Sequence, residues 1–334
     1  MPVHKERVEE MVRKYGLGFD LQRPISTGHH AKTVIEFSGN GNGEVSHVVK
    51  CISLANAGPE DHAAALMQAI YNYRQLLEVY GVPIVELHCL FKECVGNNEY
   101  IIEIAEHGGA TIEGEITDGE PAKALATVRA ILESVERLFK SATSHILPIG
   151  LNFVPRNFTR DANGKIRYID YFLPYVYPFL TWPPSSDKDR QGLEQWRHYS
   201  TKGLLQVFLV HIGRLRPELR DQTEHLIGTR IDQWSLRLGT WWQDRPANQL
   251  ERVIGATAGS KRGHRKQRKA RRIIQGLNLS DLYDLRDCAV LLASRGMLDQ
   301  AGLQGVFTKT HFDSHQSLDR EVFIDCRSKL ASLL

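Results

Sequence analysis

A chain of 334 residues with 42% apolar and 24% charged residues has an ordinary folded composition and length enough for two lobes, which excludes whole-chain disorder. No run approaches the ~18 apolar residues of a spanning helix, and the charged stretch MPVHKERVEEMVRKYG does not read as a secretory signal, so a cytoplasmic location is expected. Net charge is +3, yet Lys261–Arg272 holds eight Lys or Arg and no acid, leaving −5 for the remainder.

The five cysteines are scattered without a CxxC pair, so free thiols are expected rather than disulfides or a zinc ribbon. In chain order, residues 4–15 have helical spacing, and Thr33–Phe37 and Val45–Leu54 read as strands joined by the turn SGNGNGE. Ser26–Lys32 would be the loop entering this hairpin. Lys50 interrupts the apolar strand VVKCI, sharing a face with Val48 and Ile52. Such a lysine either serves a buried anion or lies on an exposed edge.

Pro59–Tyr80 is expected to be a helix, opened by a proline and two acids and ended by Gly81. Strands Ile84–Phe91 and Tyr100–Ala105 follow, joined by VGNN. The glycine- and acid-rich segment 107–120 reads as a connector between a small α+β lobe, 1–106, and a mainly helical lobe, 107–334. In the second lobe, Pro121–Lys140, Gly192–Leu215, Glu218–Leu238 and Leu279–Arg295 have helical patterns.

Ile149–Phe172, reading IGLNFVPRNFTRDANGKIRYIDYF, holds the densest set of candidate groups. Asn152, Asn157 and Asp170 sit where polar groups would emerge from a buried hairpin into a cleft. Preceded by a loop, a strand lysine and a helix, this stretch resembles the protein-kinase-like superfamily, and more closely its aminoglycoside and choline phosphotransferase branch. The resemblance spans roughly residues 20–200; Pro155, Asn157, Asp170 and Tyr171 fall at matching positions.

The resemblance implies a two-lobed α+β fold, ATP and Mg²⁺ as cofactors, and a small hydroxyl-bearing acceptor. It implies that Lys50 holds the α- and β-phosphates and that the loop Ser26–His30, with Gly28, covers them. The backbone of Glu103 to Ala105 would face an adenine edge, and Asn157 and Asp170 would hold the metal. Arg156 would neutralise a transferred phosphoryl group or pair with Asp161.

Asn152 stands where the family has its catalytic aspartate, and an amide orients a hydroxyl but does not take its proton. A second expectation is therefore a pseudokinase that binds nucleotide or partners without transfer. The acid that pairs with the strand lysine is also unassigned, with Gln68 near the expected helix position and Glu60 and Glu78 on either side. Lys261–Arg272 would contact RNA, acidic phospholipid or an anionic substrate, or be a solvated, partly disordered loop. His311, Asp313 and His315 have metal-ligand spacing but lack a second pair.

Overall fold

The computed structural model describes residues 19–26, 31–39, 45–54, 62–95, 98–171, 188–255, 263–311 and 319–334. The protein is α+β, with a small antiparallel sheet and many helices. Its contacts divide it into a first unit, Met1–Ala110 with Thr159–Leu180, and a second, Thr111–Phe158 with Thr181–Leu334. This differs from a division at 106/107: Thr159–Leu180 returns to the first unit, where Tyr168 donates its N–H to Pro83 and the Tyr171 hydroxyl meets Val85.

The first unit is built on strands β1 (Phe19–Ser26), β2 (Ala31–Gly39), β3 (Val45–Ser53), β4 (Leu87–Val95) and β5 (Asn98–Glu106), in the order β1-β2-β3-β5-β4. β1 was not expected. It carries Pro24, which removes a ladder donor, and its register slips on both sides of that residue, as an edge strand tolerates. β3 is the central strand, so the exposed-edge reading of Lys50 does not hold.

Helix α1 (His62–Val79) follows β3 and buries Ala63, Leu66, Ile70, Tyr73 and Leu77, one face at helical spacing. Gly81, at φ +74°, closes it: the N–H groups of Gly81 and Val82 bond the carbonyls of Glu78 and Leu77. Strands β6 (Phe158–Arg160) and β7 (Ile166–Tyr168) form a hairpin whose turn is organised by Asp161 Oδ1, which accepts from the N–H groups of Asn163 and Lys165.

In the second unit, the expected connector 107–120 contains helix α2 (Ile112–Asp118). Buried Ile112 and Ile116 lie one turn apart, and Glu113 and Glu115 favour its N-terminus, which outweighs its glycine-rich flanks. The expected helix 121–140 breaks at Val135 into α3 (Pro121–Ser134) and α4 (Glu136–Lys140). Helices α5 (Lys188–Tyr199) and α6 (Thr201–Leu215) meet at Ser200. α6 is buried along most of its length and approaches α11 (Leu282–Ser294) closely: a Cβ on Gly213 would lie 2.2 Å from Val290 Cγ1.

Helices α7 (Arg220–Gln233), α8 (Gly239–Gln243), α9 (Pro246–Ile254), α10 (Gly263–Gln275), α12 (Gln300–Lys309) and α13 (Arg320–Ser332) complete the described elements. A buried ionic knot ties α7, the start of α9 and α11. Asp287 receives Arg220 at 3.0 Å and Arg245 at 2.8 Å, and Glu224 holds both arginines from the other side. Full pairing is what makes such burial tolerable. Cys89, Cys94, Cys288 and Cys326 are free. No helix among the described residues is long and apolar enough to cross a membrane.

Gly108 and Gly109 bring the end of β5 against the returning hairpin. At Gly109, φ is +93° and a Cβ would lie 2.0 Å from the Arg160 carbonyl oxygen. Gly109→Ala should cost about 2–4 kcal/mol, combining left-handed strain with a backbone clash. Gly114→Ala, with nothing within 4 Å, should gain about 0.5–1 kcal/mol from helix propensity. Urea denaturation of each variant checks both signs.

Candidate functional site

In the first unit the site is set by one cross-strand pair. Lys50 on β3 lies directly opposite Glu103 on β5, so their side chains share a face. All of Tyr100–Ala105 is buried, because both faces of β5 are covered, and Glu103 is 0% exposed. A carboxylate there requires a close cation. Lys50 Nζ supplies it at 3.1 Å from Glu103 Oε1.

The same ammonium donates to the carbonyl of Ile169 at 2.7 Å, the residue immediately before Asp170. The strand lysine and the Asp170 segment therefore meet within one unit. Tyr171 closes the group from beneath. Its ring centroid lies 5.4 Å from Lys50 Nζ and 4.3 Å from the Arg74 guanidinium, so two cations interact with its π system. Its hydroxyl accepts from the Val85 N–H at 2.9 Å, with the Tyr168 carbonyl at 2.9 Å. Burial, opposed by Arg74, raises the phenol well above its ordinary value. Arg74 is 8% exposed and donates to the Val85 carbonyl at 2.7 Å.

An ammonium has three N–H donors. One bonds the Ile169 carbonyl, and the Glu103 carboxylate lies beside the charge as an ion pair without a formed hydrogen bond, which leaves donor capacity on Lys50.

Several expectations change here. The partner of Lys50 comes from the neighbouring strand and not from the helix. Gln68 is exposed and bonds Asn72 at 2.9 Å, Glu78 is exposed, and Glu60 lies outside the described residues. Glu103 and Ala105 were expected to offer backbone to an adenine edge. Their backbone instead lies in a strand paired on both sides, Glu103 with Lys50 and Leu90, and Ala105 with Val48 and Leu87. Glu103 contributes its side chain. Gly28 and most of the loop Ser26–His30 lie outside the described residues, as do His315 and Asp313.

Asn152, Arg156 and Asn157 belong to the second unit. Leu151 is clamped by His198, whose carbonyl takes the Leu151 N–H at 2.9 Å and whose Nδ1 lies 3.1 Å from the Leu151 oxygen. Phe153 is buried against Phe139, Phe158 and Phe208. Asn152 is held between these anchors, half-buried. Its carbonyl accepts from the Asn157 side-chain amide at 3.0 Å, which locks Asn157, 9% exposed, at the end of the 3-10 turn Pro155–Asn157.

Arg156 is exposed. Asp161, its alternative partner, is taken by Arg167 at 2.9 Å and by its own turn. Arg156 adds instead to a concentration of positive charge around His211. His211 keeps part of its surface exposed but is densely surrounded; burial first, then Arg286, Arg156, Arg197 and Arg214, push its pKa well below the ordinary value. Phe307 organises three of these groups, with Arg214 and Arg286 each 5.2 Å from its ring and His211 at 6.4 Å. No sequence motif announced this cluster, since its members come from five separate elements.

No family model matches this chain, and no curated protein matches its sequence.

Two outcomes are expected. Removing one member of the pair by Lys50→Met should destabilise the protein by about 3–5 kcal/mol, whereas the double variant Lys50→Met/Glu103→Leu should recover most of the loss, since an uncompensated buried charge dominates the cost. Urea unfolding of both measures the coupling. Folded His211 takes up a proton less readily than the unfolded imidazole, whose pKa is near 6.5. Its contribution is thus complete above about pH 6.5 and is lost as pH falls toward the folded value. His211→Gln should flatten that part of the stability–pH curve.

Proposed function

We propose that the chain is a kinase-like, ATP- and Mg²⁺-dependent phosphotransferase acting on a small hydroxyl-bearing acceptor. The observation that carries this reading is the Lys50–Glu103 pair bonded to the carbonyl preceding Asp170. The bond holds the strand lysine beside the residue that would ligate a metal, as a phosphate grip requires.

Mg-ATP, when bound, supplies the phosphoryl group and the metal charge that neutralises it. Lys50 would bind phosphate oxygens through its remaining N–H, and Glu103 would fix its position and charge. Asp170 and Asn157 carry the metal-binding roles that the kinase resemblance implies. Both offer oxygen donors, which suits Mg²⁺, an ion that fills the rest of its shell with water and phosphate. The metal would enter with the nucleotide. Arg156, exposed and adding to the positive region of the second unit, would assist the transferred group. Asn152 would orient the acceptor hydroxyl.

A second reading, a pseudokinase that grips nucleotide without transfer, is favoured by the identity of Asn152. Its amide does not accept a proton, and phosphoryl transfer would then rely on positioning and charge alone.

Mg-ATP should raise the midpoint of thermal unfolding by several degrees, since saturation at about 100 times Kd contributes about 2.7 kcal/mol. The folded double variant Lys50→Met/Glu103→Leu should show no such rise, and its absence in the wild type would contradict the proposal. In a turnover assay, Asn152→Asp should accelerate a measurable wild-type rate by about 10²–10⁴, the usual contribution of a general base. Activity that appears only in Asn152→Asp selects the pseudokinase.

A further inference from the structure

Helix α10 carries the described part of the basic segment, and five of its cations are exposed. Ala270 and Ile274 on α10 are buried in the core, with Ile273 packed beside them, so the apolar face is already used. The opposite face presents Arg265, Arg268, Lys269, Arg271 and Arg272, all exposed. Lys261 and Arg262 lie outside the described residues. Among the described residues none of these five cations pairs with a carboxylate. Two acids of the helices packed against α10 are engaged elsewhere: Glu251 of α9 with Arg295, and Asp325 of α13 with Lys329 and Lys309.

Spacing makes the stripe continuous. Arg265, Arg268, Lys269 and Arg272 fall at i, i+3, i+4 and i+7, covering roughly 10 Å of helix at ~1.5 Å per residue. Like charges at these separations repel and weaken the helix that carries them. The stripe is held only by the apolar side, and a polyanion would relieve the repulsion.

Three features choose among polyanions. Four of the five cations are arginines, whose planar fork matches phosphate oxygens in pairs. The exposed face carries no apolar side chain, only His264, Gln267 and Gln275 besides the cations, whereas a helix lying in a bilayer interface needs an apolar face to bury. It also lacks aromatics, so unpaired bases would find nothing to stack on. A duplex, with one phosphate charge per ~1.7 Å of axis, offers the density this stripe fits.

We propose that the exposed face of α10 docks on the phosphate backbone of duplex nucleic acid, without reading sequence. This stands independently of the phosphotransferase reading.

The test uses the full chain and fluorescence anisotropy with 20-base-pair RNA and DNA duplexes of unrelated sequence over a salt series. Binding should weaken with salt at a log–log slope of about −3 to −4, as expected for about four phosphate contacts. Arg265→Gln/Arg268→Gln/Lys269→Gln should weaken it at least about tenfold for every sequence, and lower the slope by two or three. Thermal unfolding should be unchanged or slightly raised, since repulsion is relieved at exposed positions, which verifies the fold. Which duplex binds more tightly identifies the source of the phosphate. Triple-variant binding equal to wild type, a single strand bound more tightly than either duplex, or binding to phosphatidylserine vesicles with neither duplex bound would overturn the proposal.

Discussion

A carboxylate with no exposed surface, in the middle of an apolar strand, constrains everything around it. Glu103 is fully buried on β5, and its tolerance depends on Lys50 lying opposite on β3. The register of the central strands follows: a slip of one residue would send the lysine to the other face and leave the acid unpaired. Because the ammonium must stay near Glu103, its second contact, the Ile169 carbonyl, fixes where the chain preceding Asp170 can run. Tyr171 and Arg74 pack against this group, and Val85 bonds both, accepting from Arg74 and donating its N–H to the Tyr171 hydroxyl.

Within the second unit the analogous constraint is mechanical. Leu151 is bonded at both its N–H and its carbonyl by His198, and Phe153 is locked among three phenylalanines, so the polar residue between them has little freedom. The Asn157–Asn152 bond extends the rigidity to the end of the turn. The arginines around His211 concentrate positive charge there, partly offset by Glu194 beside Arg197 and by Glu113 near Arg214.

The hairpin–helix–hairpin order, Gly81 as a helix stop and the turn of 161–165 were legible because each rests on local chemistry: β-branched runs, a left-handed glycine and an Asx turn. β1 was not, since Pro24 argues against a strand until its edge position is known. The short helix α2 was hidden by its glycine-rich flanks, although Ile112 and Ile116 carried its period. The partner of Lys50 was legible in principle. VVKCI and IIEIA each hold a lone charge at the centre of an apolar strand, and two such charges of opposite sign in neighbouring strands satisfy one another. The family resemblance places that partner on the helix instead. By contrast, the Arg220–Asp287–Arg245 knot and the His211 cluster are assembled from distant positions, and only the folded chain brings them together.

The central claim is that Lys50 grips nucleotide phosphates. Phosphorus NMR of Mg-ATP titrated with the protein tests it most directly. The α- and β-phosphate resonances should shift or broaden with the wild type and remain unperturbed with the folded double variant Lys50→Met/Glu103→Leu. Resonances that the wild type leaves unchanged, or that respond equally to both proteins, would contradict the account.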